Sequence, residues 1–190
     1  LEPIVALADR IGCAVTVMSA AKSFFPEDHK AFRGVYWGEV SSPGAQELVE
    51  KADGVICLAP IFNDYATVGW QSKPPASRAL FADLAEVAVD GKSFAGFHLG
   101  AFIAALSEKA PRRPATVENT TYTPVKIPET APTVPLTNDE MARQINAMID
   151  GNTTITAETG DSWFNAVRMH LPSGARVETE MQWGSIGWSV

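Results

Sequence analysis

The sequence predicts an α/β fold, a parallel sheet covered on both faces by helices, and three observations carry that prediction. Short continuous apolar runs, Cys13 to Met18 and Val55 to Ala59, have the length of strands buried on both sides. Segments with apolar residues at helical spacing alternate with them. After a proline-rich stretch the same alternation starts again, which calls for a second α/β unit.

The elements follow in order. Ile4, Leu7, Ala8 and Ile11 make one helical face, and Gly12 supplies the stop before the first strand. Ser42 and Pro43 read as an N-cap and a first-turn proline for a helix whose apolar face is Ala45, Leu48, Val49 and Ala52. Val55 to Ala59 is the next strand. Arg78 to Asp83 and Val87 to Val89 look extended, Asp90-Gly91 is a turn signal, and Leu99, Phe102, Ile103 and Leu106 form a further helical face. Residues 1–109 are therefore expected to be one domain.

Six prolines between Pro111 and Pro135, with no helical or alternating period, predict an extended linker over 110–136. Thr137 and Glu140 then form a capping-box pattern for a helix with Met141, Ile145, Met148 and Ile149 on its apolar side. Thr153 to Ala157 reads as a strand, and Arg176 to Glu180 as another. Residues 137–190 are expected to open a second domain.

Composition excludes several function classes. Apolar residues make up 46% and charged residues 19%, which is the balance of a chain with a packed core rather than a disordered one. The net charge of −7 comes without a basic run, so a nucleic acid partner is not expected. No apolar stretch approaches the ~20 residues that span a bilayer, and no secretory signal opens the chain, so a cytoplasmic protein without membrane contact is the expectation. Cys13 and Cys57 lie in apolar runs and read as buried thiols, while His29, His98 and His170 share no ligand spacing. No metal site is expected within these residues.

Chemistry concentrates after the strand at 153–157. Glu158-Thr159-Gly160-Asp161-Ser162-Trp163-Phe164-Asn165 is a polar, glycine-bearing turn leading into a helix, an arrangement that can cradle an anion on unpaired first-turn amides or serve as an ordinary structural turn. Met181-Gln182-Trp183-Gly184-Ser185-Ile186-Gly187-Trp188-Ser189-Val190 sets glycines beside large apolar side chains, which suits either close approach of backbone to a flat ligand or a core-filling turn.

Together these two runs resemble the diphosphate-binding domain of the bacterial pyruvate decarboxylases, within the thiamine-diphosphate-dependent 2-keto acid decarboxylases. Ala20 to Glu27, Trp37 to Ser41 and Ala59 to Tyr65 are similar to stretches of that family's middle domain. The resemblance implies a Rossmann-like parallel-sheet middle domain over 1–109 and the start of a C-terminal α/β diphosphate-binding domain over 137–190. It implies a carboxy-lyase that converts pyruvate to acetaldehyde and carbon dioxide with thiamine diphosphate and Mg²⁺, working as a homo-oligomer, a dimer or tetramer.

By the same resemblance Thr159, Gly160 and Asp161 border the cofactor's diphosphate, with Asp161 acting through its backbone because a bare carboxylate repels a phosphate. Gly184 offers its carbonyl to the aminopyrimidine, Ser185 follows it, and Ile186 is the apolar wedge that bends the cofactor. Trp163 borders the 2-keto acid pocket and favours a methyl group over an aromatic one. The activating glutamate and the magnesium motif of the family are absent from these 190 residues. The chain is thus expected to be an internal fragment, inactive alone, with no catalytic residue and no metal ligand of its own.

Three other readings compete, one of them a non-catalytic binding module that uses the exposed edge of a sheet. An indolepyruvate or phenylpyruvate decarboxylase differs in pocket volume, for which Trp163 is the discriminating residue. A nucleotide-binding oxidoreductase would need a Gly-x-Gly-x-x-Gly after the first or second strand, and neither strand is followed by one.

Overall fold

A computed structural model describes residues 1–115, 122–180 and 183–187. Helix α1 (Glu2–Ile11) carries Pro3 in its first turn and ends where Gly12 turns left-handed (φ 62°) and its amide donates to the Ala8 carbonyl. Strand β1 (Val15–Met18) follows, then a 3₁₀ turn (Ser19–Ala21) and β2 (Phe32–Tyr36), which pairs parallel to β1 with a shift between Val15 and Val17. Helix α2 (Ala45–Lys51) leads to β3 (Val55–Leu58), and a second 3₁₀ turn (Ala76–Arg78) leads to β4 (Ala79–Ala82). Then come β5 (Glu86–Val89), β6 (Lys92–Ala95) and α3 (Leu99–Lys109), which packs on α1. Helix α4 (Asn138–Met148), β7 (Thr154–Ala157), α5 (Asp161–Arg168) and β8 (Arg176–Thr179) complete the order.

The α/β class holds, but the sheet is divided. Among the described residues the strands form a parallel pair β1-β2, a four-stranded sheet β3-β4-β5-β6 and a parallel pair β7-β8. Only β3 and β4 are parallel in the four-stranded sheet. The short link from Ala82 to Glu86 is too brief for a crossover, so β5 returns antiparallel. At the tip of β5-β6 both Asp90 (φ 51°) and Gly91 (φ 71°) are left-handed, the geometry of a two-residue hairpin, which turns Lys92–Ala95 back as a strand. Strands β1 and β3 face a common apolar cavity of about 1240 Å³, lined in part by Val15, Val17, Val55 and Cys57.

Two local expectations are corrected. Ser42 does not cap α2: its hydroxyl accepts from the Val35 amide (2.9 Å), its own amide donates to the Val35 carbonyl, and Gly44 occupies the cap. Gly34 permits this, since a Cβ there would lie 2.4 Å from that of Ser42. Of the expected apolar side of α4, Ile149 packs inward while Met148 is 79% exposed, and the buried residue within the helix is Ala142, against Ile127 and Met169. A small residue there lets the 122–136 segment approach closely, so that segment contributes to packing as well as connection.

The largest core joins both ends of the chain. Ala8, Val17, Phe25, Phe32, Val35 and Trp37 pack with Trp163 and Val167 of α5, and Tyr122 sets its ring edge-on to Phe32 at 5.0 Å. The other side of α5, at Ala166, meets Ala157, Leu171, Ala175 and Val177. Helix α5 is therefore held between two cores.

Candidate functional site

The site begins with the pairing of β7 and β8, in register from Thr154↔Arg176 to Ala157↔Thr179. Because the strands are parallel, the loops after both leave from the same end, and ligands of α/β sheets sit at that end. Thr159, Gly160 and Asp161 follow β7, and Gly184, Ser185 and Ile186 follow β8. The fold thus brings together two groups of residues separated by more than twenty positions.

Hydrogen bonds tie the loops. The Thr159 hydroxyl donates to the Glu180 carbonyl (3.3 Å), and the Gly187 amide donates to the Glu158 carboxylate (2.5 Å). The Glu180 carboxylate accepts from the Trp183 and Ser185 amides at 3.0 and 2.9 Å. Glu158 and Glu180 therefore shape the second loop, a role that sequence reasoning did not assign. The only signal available was an acid at the end of each strand. Met181, Gln182 and the Trp188–Val190 part of the quoted motif lie outside the described residues.

Gly160 starts α5 at φ 131° and ψ −150°, a conformation that L side chains rarely adopt, and a Cβ placed there meets nothing within 4 Å. An open glycine at a helix N-terminus, with first-turn amides unpaired by the helix, fits an anionic group approaching the backbone. The Asp161 carboxylate is turned to the Asn138 amide (3.1 Å), so Asp161 can serve the site through its main chain. With Glu158, Asp161 and Glu180 all near the turn, a diphosphate fits only if a cation accompanies it. Thr159, Gly160 and Asp161 are the residues placed where such an anionic group could be held. Among the described residues no cluster of three or more His, Cys, Asp or Glu side chains could hold a metal ion.

The second loop presents its apolar part outward. Gly184 is left-handed (φ 57°), and the Ile186 side chain is 85% exposed, free to meet a flat ligand. Trp163 points the other way. It is 3% exposed, with its ring 5.1 Å from Trp37, 6.0 Å from Tyr65 and 5.8 Å from Phe164, and its indole N–H is buried without a hydrogen-bond partner among the described residues. Tyr65 links the two groups: beside Trp163 on one side, its hydroxyl lies 3.4 Å from where a Cβ on Gly184 would stand. The Ala59 to Tyr65 run carried family resemblance, but its geometry was not legible before the fold.

Comparison with known proteins places the chain in a family. Residues 1–101 match the family described as thiamine pyrophosphate enzyme, central domain. Over 98% of its length the chain is 45% identical to a probable pyruvate decarboxylase of Schizosaccharomyces pombe, covering 33% of that protein. It is 38% identical to a pyruvate decarboxylase of Neurospora crassa and 40% identical to pyruvate decarboxylase 1 of Arabidopsis thaliana, each over the whole chain and over 34% and 32% of the relative. The chain spans about a third of the length of these curated relatives. On a match that covers more than half of its residues, the chain belongs to the thiamine pyrophosphate enzyme family, with residues 1–101 forming the family's central domain.

Proposed function

We propose that this chain is an internal part of a thiamine-diphosphate- and Mg²⁺-dependent pyruvate decarboxylase, a carboxy-lyase that releases acetaldehyde and carbon dioxide. The observation that carries the proposal is the pair of glycine-bearing loops set side by side by β7 and β8. The named relatives support the substrate. We divide the chain into a central domain (1–109), a proline-rich linker (110–136) and the opening of the diphosphate-binding domain (137–190).

In this reading the amides of Gly160 and Asp161 would bind the diphosphate, joined by the Thr159 hydroxyl once it exchanges its bond to the Glu180 carbonyl for one to a phosphate oxygen, with the α5 N-terminus favouring the charge. Gly184 would offer its carbonyl to the aminopyrimidine, with Ser185 beside it, and Ile186 would supply the apolar contact beneath the cofactor's rings. When bound, thiamine diphosphate supplies the electron sink that lets carbon dioxide leave. Trp183, Ile186 and the aromatic group around Trp163 keep water away, and Trp163 limits the pocket to small 2-keto acids through the rings it supports. The bacterial type of the enzyme rests on the runs at 158–165 and 181–190. The whole enzyme is a cytoplasmic homo-oligomer, a dimer or tetramer. No described helix is long and apolar enough to cross a membrane.

Acetaldehyde production by the longer enzyme is the test. Pyruvate should be consumed only when thiamine diphosphate and Mg²⁺ are both supplied, and phenylpyruvate should react more slowly. Turnover that persists after both cofactors are removed, or none with both present, refutes the proposal.

A further inference from the structure

Lys22 and Glu27 lie in the connection between β1 and β2, far from the loops that border the proposed cofactor site. Both side chains are only 2% exposed, and their charged atoms meet at 2.5 Å. Neither ends its contacts there. Lys22 Nζ donates to the Met169 carbonyl (2.7 Å), and the second Glu27 oxygen accepts from the Leu171 amide (3.1 Å). The His170 ring between them stands 3.5 Å from the same carboxylate. One residue on from Lys22, the Ser23 hydroxyl accepts from the Val177 amide of β8 (3.1 Å).

These contacts fall at a particular place. Met169 is the C-cap of α5, where a helix leaves carbonyls without partners and concentrates negative partial charge. A buried ammonium satisfies both. The opposite end of this helix, about 12 Å away for eight residues, is the Gly160 turn. Ser23 meanwhile holds β8, whose far end carries the second loop. One short connection thus grips the back of both elements whose front ends form the site.

Burial of an ion pair is weak as a source of stability, since an apolar pair of similar volume often serves as well or better. Directed bonds to chosen backbone atoms are what an apolar pair cannot supply. Burial pushes the Lys22 ammonium below its ordinary range, against the opposing effect of Glu27, so the charge is kept at some cost.

We propose that Lys22 and Glu27 are positioning residues that hold the C-terminal end of α5 and thereby aim its N-terminal turn, Thr159 to Asp161, at the diphosphate. The part about the helix stands on geometry alone; the part about the diphosphate rests on the function proposed above. The pair touches no reacting atom. Its effect passes through α5.

The test uses Lys22→Met with Glu27→Leu as a double variant, which removes both charges together, and Glu27→Gln, which keeps the volume and an oxygen for the Leu171 amide. In the 190-residue chain, amide hydrogen exchange over α5 should rise about tenfold in the folded double variant and at least as much in folded Glu27→Gln, which leaves the Lys22 charge without its partner, with α1 and α3 unchanged. In the longer enzyme, the thiamine diphosphate Kd should weaken by about tenfold while kcat at saturating cofactor changes little. Exchange over α5 no faster than in the unaltered chain overturns the positioning role. Equal acceleration in every helix does so too, as does failure of both variants to fold, because the pair would then support the whole chain rather than aim one helix. The exchange experiment contains no cofactor. If α5 loosens but the unaltered longer enzyme binds no thiamine diphosphate, the positioning of α5 stands, while the proposed function and the diphosphate target fail.

Discussion

Trp163 shows how one side chain can belong to a core and to a site at once. Its indole is buried among Trp37, Tyr65 and Phe164, so truncation to alanine removes packing worth ~3–5 kcal/mol. If it also limits the pocket, Trp163→Ala in the longer enzyme should shift kcat/KM towards phenylpyruvate relative to pyruvate by ~1–3 kcal/mol. The ratio measured within one folded preparation checks this; a folded variant with an unchanged ratio denies Trp163 the specificity role. Cys57 is a second residue-scale case. Burial pushes its thiol from 9.0 up to about 11. The folded chain then keeps a proton that the unfolded chain releases, so this group's stabilising contribution is intact below about pH 9 and is lost as pH rises towards 11. The denaturant midpoint should fall across that window, and Cys57→Ala should flatten the fall. The sequence placed Cys57 in an apolar strand and so anticipated a buried thiol. It did not reveal that Tyr65, in an ordinary loop, lies between Trp163 and Gly184, because that contact joins residues far apart in the chain.

Helix α4 tests a local signal at the scale of an element. The Thr137 hydroxyl accepts from the Glu140 amide at 3.1 Å, so Thr137→Ala should destabilise the chain by ~1 kcal/mol in a denaturant titration, with Thr137→Ser close to neutral. The reciprocal half of the capping box is replaced. Glu140 binds Arg143, Gln144 and the Thr130 amide instead, and its carboxyl is held down to about 2, chiefly by the Arg143 hydrogen bond. Stability from this group is present above its ordinary value of 4.5 and lost as pH falls towards 2. A carbon-detected NMR titration should place the Glu140 midpoint well below that of an ordinary glutamate, and Arg143→Ala should raise it. The cap was legible because it is made within four residues. The buried side of α4 was not, since it depends on Ile127 and Met169 arriving from elsewhere. The β5-β6 turn could be read from Asp90-Gly91, whereas β2 was hidden because Arg33 and Gly34 interrupt its apolar residues.

At the scale of the whole molecule, the two α/β parts read from the sequence share one core through Trp163 and Val167, and Tyr122 packs against the same cluster. Alternation of strands and helices announced the class, and the runs at 20–27, 59–65 and 158–165 announced the family. Pairing between strands was beyond reach, because the hydrogen-bond partners of β1 and β3 are decided across the chain rather than along it. With the activating glutamate and magnesium motif absent from these residues, the 190-residue chain should neither decarboxylate pyruvate nor bind thiamine diphosphate with submicromolar affinity; calorimetry on the purified chain checks this. The central claim is that the turn at Gly160 receives the cofactor's diphosphate. Its most direct test is a thiamine diphosphate titration of the longer enzyme carrying Gly160→Ala, with a thermal melt alongside. At φ 131° an alanine is strained and its methyl projects into the open space before α5. The expected result is a folded variant whose cofactor Kd is weaker by at least about tenfold. A folded Gly160→Ala enzyme that binds thiamine diphosphate as tightly as the unaltered one would contradict it.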